Sequence, residues 1–336
     1  MRLSCFVKKS KEKLMFLTAV LVVLFFWFHS STVGDNYVEP AISFRRRPID
    51  DFWRQLSKEE VVRDIMCSVE DPEAPCFAVV DVKDTYQKYR IMQSDDLPNG
   101  VHSRMRLKKS KENSEMVDKQ FLMSAYLRGL LLSVYLAKPV VESSKVLVIG
   151  GGGFVLPNFL ASLEKPPLVE VVELNGICIA LSKFWFDLQP GPKLKVFKDD
   201  GIEFLKRKQQ SEYDLIVLDA ASDQGEVLAS PLPFFLTSEG VKTVKNTLKS
   251  DGTVSVNIIA KNFSRNIPDA LEKIRTLYLT EFANCFGISS QDLANFLLTC
   301  TNNPSFEVLT SKNLKSKVKS LPSTISRFYD RSFYLF

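Results

Sequence analysis

The sequence predicts an α/β protein: a doubly wound parallel sheet preceded by a small β-rich unit and an N-terminal membrane helix. Three observations carry this reading. Strand-like and helix-like segments alternate from Lys145 to the C-terminus, a four-glycine turn follows the first of those strands, and an apolar run follows a basic N-terminal tail.

The N-terminus comes first. Arg2, Lys8, Lys9, Lys11 and Lys13 precede an unbroken apolar run from Leu14 to Phe28, and with the weakly polar His29 to Val33 the stretch is just long enough to span a bilayer. A cleaved signal peptide needs small residues before the cut, and Phe25-Phe26-Trp27-Phe28 is bulky there, so a retained signal anchor over residues 1–33 is favoured over cleavage. The basic side then stays cytosolic. A single-pass membrane protein with its domain in the lumen or outside the cell is the expected topology, although Arg45-Arg46-Arg47 near the other face opposes it. The Asn262-Phe263-Ser264 sequon fits a secretory setting.

Residues 34–75 read as a polar stalk ending in a short helix around Glu59 to Cys67, and residues 76–140 as a small β-rich unit plus a linking helix. Strands are expected at Cys76 to Lys83, Tyr89 to Gln93 and Ser103 to Leu107, with Asn99-Gly100 as a turn. Arg106 to Lys111 reads as a solvated basic loop, and Val117 to Ala137 as a helix ended by Pro139. Residues 141–336 form the main domain. Its strands are Lys145 to Gly150, Leu168 to Leu174, Leu194 to Lys198, Tyr213 to Asp219 and Thr253 to Ile259; late strands follow near Asn284 to Ile288 and Asn295 to Cys300. Continuous apolar runs such as VLVI and LIVL mark strands covered on both faces.

Six cysteines constrain the compartment. Cys67 and Cys76 flank a short acidic loop, Cys285 and Cys300 fall in the two late strands, and Cys178 lies on an apolar helix face. Two disulfides and one buried thiol suit an oxidising compartment; five reduced, buried cysteines are the alternative. With only His29 and His102, a multi-histidine metal site and a Ser/His/Asp triad are not expected, and without RNA-binding or zinc-finger spacing neither is nucleic acid.

The chemistry concentrates at the carboxyl ends of the strands. Gly150-Gly151-Gly152-Gly153 joins the first strand to a helix, where glycines let backbone approach a nucleotide. Glu173 ends the second strand, about 20 residues on, placed to accept ribose hydroxyls. Asp199-Asp200-Gly201 ends the third and Asp219 the fourth. Each acid also has a plain reading: Glu173 as a solvated strand-end acid, Asp200 as a helix cap. As a ribose-holding strand-end carboxylate, Glu173 could be replaced by alanine without opening a cavity, with cofactor binding lost and the fold kept. Four features in register point to a nucleotide-type pocket.

The order Gly-loop, Glu, Asp-Gly, Asp resembles the Rossmann-like class I methyltransferases, and within them the spermidine-synthase-like branch that includes the methyltransferase-like protein 13 group. The likeness covers roughly Cys76 to Cys300 and extends to Thr85-Tyr86-Gln87-Lys88-Tyr89-Arg90-Ile91, which looks like the YQ-x-I element before that branch's substrate site. The resemblance implies S-adenosylmethionine as cofactor at Gly150, Gly152, Glu173, Asp200 and Asp219. Asp219 or Tyr86 would accept the acceptor's proton or orient its nitrogen. It also implies a protein or small-molecule methyl acceptor and pairing into a homodimer; no metal is required. Two departures bear on activity. Aminopropyltransferases carry Asp inside the glycine loop, where Gly153 stands, and acidic and histidine positions in the preceding helix are replaced by Leu122 and Met123; polyamine synthesis is therefore disfavoured. Phe154 stands where methyltransferases usually keep glycine, and its ring would either crowd the cofactor or turn outward. A membrane-anchored binding protein on a decayed enzyme fold is the remaining alternative.

Overall fold

The computed structural model describes residues 39–49, 60–96, 100–221, 227–261, 267–290 and 295–336. The expected membrane helix and the Asn262 sequon lie outside the described residues, among which no helix is long and apolar enough to cross a membrane.

Residues from Pro40 onward form one compact unit that holds two sheets. The first is antiparallel and six-stranded, in the order β1 (Phe44–Arg46), β2 (Glu60–Ser68), β3 (Phe77–Lys83), β4 (Lys88–Ser94), β5 (Ser103–Lys109) and β6 (Glu115–Val117). It corrects three expectations. The short helix read around Glu59 to Cys67 is strand β2, whose Asp64, Ile65, Met66 and Cys67 are buried by pairing with β1 and β3. The basic residues after Arg106 continue β5 to Lys109, because Arg106 and Lys108 pair with the buried Asp118. The helix read from Val117 starts only at Ala125, since Val117 ends β6.

The second sheet has the order β15 (Phe333–Leu335), β13 (Asn284–Ser290), β14 (Asn295–Thr301), β12 (Leu248–Ala260), β10 (Tyr213–Leu218), β7 (Lys145–Ile149), β8 (Leu168–Glu173), β9 (Leu194–Lys198), with β11 (Leu228–Ser230) beside β12. The five strands from β12 to β9 are parallel, while β14, β13 and β15 join antiparallel, so the sheet is mixed rather than purely parallel. The helices are α1 (Ala125–Ala137), α2 (Val155–Ala161), α3 (Gly176–Trp185), α4 (Gly201–Arg207), α5 (Ser238–Thr247), α6 (Ile267–Tyr278), α7 (Leu314–Lys319) and α8 (Ser323–Ser326).

Strand alternation divides the core. In β7, Val146 and Val148 enter one apolar cluster while Leu147 and Ile149 enter another on the opposite face; in β10, Leu215 and Val217 join the first, Ile216 and Leu218 the second. That is why these strands read as unbroken apolar runs. The chain reverses direction across the sheet between β7 and β10, so the crevice at the carboxyl ends of those two strands is where an open α/β sheet binds ligands.

Candidate functional site

The glycine turn after β7 is held almost wholly by the chain itself. Gly150 has φ +94°, and a Cβ there would lie 2.4 Å from the Asp219 carbonyl oxygen, so only glycine fits. The Gly150 N–H donates to the Val172 carbonyl (2.9 Å). The N–H groups of Gly151 and Gly152 donate to Glu173 Oε2 at 2.7 and 3.0 Å, and the Asn175 N–H donates to Oε1 at 2.7 Å. Gly153 N–H donates to Ser103 Oγ (2.7 Å) from β5 of the first sheet.

Glu173 is therefore a keystone of the turn as well as a strand-end acid. Burial pushes its carboxyl upward although backbone N–H groups oppose the shift. Replacing it by alanine would leave three backbone donors without this acceptor. Cys178 lies close enough for the Glu173 charge to raise its thiol further than burial alone, which makes it an inert core thiol.

Phe154 does not turn outward, one of the two placements expected for it. Its ring is fully buried in the apolar cluster on one face of the sheet and packs against Gly151, where a Cβ would lie 2.7 Å from the ring tip. Its backbone is left-handed (φ 55°, ψ 31°), a conformation that glycine adopts without strain and a bulky residue does not.

Asp200 Oδ1 accepts the N–H groups of Ile202 and Glu203 at 2.8 and 2.9 Å, so it caps α4 from the end of β9. Asp199 pairs with Arg207.

Asp219 follows β10 in the crevice. Asn257 Nδ2 donates to its Oδ1 (2.6 Å), and the Tyr126 hydroxyl, from the start of α1, lies 3.4 Å from its Oδ2. Desolvation outweighs both donors and pushes this carboxyl up to about 6. Burial and the Asp219 charge raise the Tyr126 hydroxyl in turn.

The structure thus gathers Gly150, Gly152, Glu173 and Asp219 around one turn, with Asp200 at the next strand end. Tyr86 is different. It occupies the β3–β4 turn, where Asp84 Oδ1 accepts its N–H, and its side chain is 93% exposed. Among the described residues no hydrogen bond joins it to the other candidates. Tyr126, Asn257 and Ser103 escaped sequence reasoning. Tyr126 stands three residues beyond the replaced Met123, which hinted at that helix; nothing in the sequence singles out Ser103.

With this geometry in hand, the chain can be set beside known proteins. Residues 125–278 match the spermine/spermidine synthase domain. Among solved structures, a probable spermidine synthase from Corynebacterium glutamicum superposes with a TM-score of 0.59 at 16% identity, covering 77% of this chain and 87% of that one. Human methyltransferase-like protein 13, solved in complex with SAH, gives 0.52 at 18% identity, covering 62% and 96%. Both likenesses concern the fold: a Rossmann-like methyltransferase sheet with a β-rich N-terminal unit. In sequence, the eEF1A lysine and N-terminal methyltransferase of Danio rerio is 25% identical over 185 residues, which is 54% of this chain and 26% of the relative. The chain therefore spans about a quarter of that relative's length.

Proposed function

We propose that the chain is an S-adenosylmethionine-dependent methyltransferase whose acceptor is an amine, foremost a protein amine. The observation that carries this reading is Asp219, a desolvated carboxylate beside the glycine turn at the point where the sheet reverses, with Glu173 ending the adjacent strand. Methyltransferase relatives and the SAH-bound structural neighbour support the cofactor.

The residues present fit the group. Acids stand at three strand ends around a side-chain-free turn, and the fourth loop position is Gly153 rather than the acid that reads a decarboxylated cofactor's amine. On this reading Glu173 would hold the ribose and Asp200 the adenine end, both from strand ends; in the chain alone their oxygens accept backbone N–H groups. When bound, S-adenosylmethionine supplies a methyl group on a sulfonium, transferred by in-line displacement.

The chain's own part is to bind, orient and deprotonate. An amine acceptor arrives as an ammonium, and its proton must leave before the nitrogen lone pair can form the new N–C bond. A carboxylate at about 6 accepts that proton far better than an exposed aspartate. Asp219 must be ionised to act, so turnover rises as pH passes upward through about 6. The buried Phe154 ring packs against the turn, and Ser103 accepts from the Gly153 N–H beside it.

We infer an oxidising compartment as well. Cys67 and Cys76 are disulfide-bonded, as are Cys285 and Cys300, which face each other across β13 and β14. This supports the expected luminal or extracellular topology.

The test is methyl transfer. The full chain is incubated with methyl-tritiated S-adenosylmethionine and peptides offering either a lysine or a free N-terminal amine. Label in one peptide class, lost in Asp219→Ala, is expected. No label in either with folded protein would overturn the reading.

A further inference from the structure

The carboxylate of Asp219 has two unequal oxygens. Oδ1 receives a short bond, 2.6 Å, from Asn257 Nδ2; among the described residues Oδ2 receives only the 3.4 Å contact from Tyr126. Asn257 is itself fixed. Its Oδ1 accepts from Asn295 Nδ2 at 2.9 Å, which forces its NH2 toward Asp219, and its backbone carbonyl accepts from Ser230 Oγ at 2.6 Å. Asn295 begins β14 and lies beside β12 in antiparallel register, with Ser289 Oγ of β13 donating to its carbonyl (2.9 Å). The antiparallel strands thus deliver a chain of donors, Asn295 to Asn257 to Asp219, to the carboxyl edge of the parallel sheet.

We propose that Asn257, held by Asn295, is the positioning residue of the reaction: it pins Oδ1 of Asp219 so that Oδ2 is the oxygen presented to the acceptor amine. The proposal rests on the methyltransferase reading. The pinned oxygen has a strong, correctly oriented donor and cannot turn without losing it, whereas a bond of 3.4 Å from a hydroxyl is readily exchanged for one from an ammonium. The proton leaving the nitrogen passes to Oδ2, and the Tyr126 hydroxyl swings aside or accepts from the nitrogen. Tyr126 on α1 is the titratable partner that touches Asp219, and Asn257 on β12 is the neutral one. Both act on a group whose ionised form they favour.

The experiment follows Asp219 directly by NMR of full chain labelled with 13Cγ-aspartate, its signal assigned by loss in Asp219→Asn. Asn257→Leu removes the donor at nearly constant shape and should raise the Asp219 midpoint, weakening the acid by about tenfold. Asn295→Ala, a milder change at the strand end, frees the Asn257 amide to turn and should move the midpoint part of the way. In turnover with an amine peptide, both variants lower kcat, leave KM near wild type and shift the acidic limb of the pH profile upward with the NMR midpoint. If both variants fold and titrate Asp219 at the wild-type midpoint, the proposal is overturned. It is equally overturned if the midpoint moves while kcat of an active enzyme does not. A wild-type chain that transfers no methyl group yet shows the NMR shifts upholds the network and overturns the methyltransferase reading alone.

Discussion

Burial raises the Asp219 carboxyl to about 6, and the shift is a statement about stability as well as chemistry. Its folded value lies above the ordinary 3.8, so the favourable contribution is complete below about pH 4 and is lost as pH rises through 6. At neutral pH the ionised group therefore costs the fold about 2–3 kcal/mol. Asp219→Asn keeps the Asn257 bond and removes the charge. It should be more stable than wild type by roughly that amount at pH 7 and no more stable at pH 4. Urea denaturation at the two pH values checks this, and an equal gain at both would remove desolvation as the cause. Phe154 is the second residue where local preference and packing disagree. Phe154→Gly relieves a left-handed backbone, worth roughly 1–2 kcal/mol, and loses a fully buried ring, worth about 3–5 kcal/mol. A net loss of about 2–3 kcal/mol is expected, read in the same titration; a stabilised variant would show that backbone strain dominates.

At the scale of elements, the first sheet is fastened to the second through Trp185 at the end of α3. Its carbonyl accepts from Arg90 Nη1 (2.7 Å), its ring lies beneath the Arg90 guanidinium, and its Nε1 donates to the buried Asp64 (2.9 Å). Arg90 also forks onto Asp81 at 2.6 and 2.9 Å. Removing one partner of such a buried pair is worth about 3–5 kcal/mol, tempered here because Arg63 still reaches Asp81. Arg90→Ala should thus lose about 3 kcal/mol and expose the β3–β4 region to limited proteolysis before the α/β sheet yields. Simultaneous cleavage of both regions would contradict this attachment. The Trp185 contacts join residues far apart in sequence, which is why they could not be read in advance. The parallel strands were legible because both faces are covered and the apolar runs are unbroken. Strand β2 was not, because its first half, Glu60-Val61-Val62-Arg63, shows no apolar alternation and leaves Val61 exposed, and only pairing with β1 and β3 buries the rest. The strand-end acids and the glycine turn were legible for the same local reason. The donors around them were not: Tyr126, Asn257 and Ser103 are brought in by α1, β12 and β5 from distant segments.

For the whole molecule, the two disulfides bind each sheet internally and predict a redox signature. In denaturant without reductant, Cys178 should alkylate while Cys67, Cys76, Cys285 and Cys300 do so only after reduction. Free thiols at all five in protein from its native compartment would contradict the oxidising setting. The central claim is that the crevice between β7 and β10, closed by Glu173 and Asp219, is an S-adenosyl site. Its most direct test is calorimetric titration of the folded full chain with S-adenosylmethionine and its demethylated product. Saturable binding of one molecule per chain, abolished in Glu173→Ala samples shown to be folded, is the predicted result. A folded wild-type chain that binds neither compound, or a folded Glu173→Ala that binds as tightly as wild type, would contradict it.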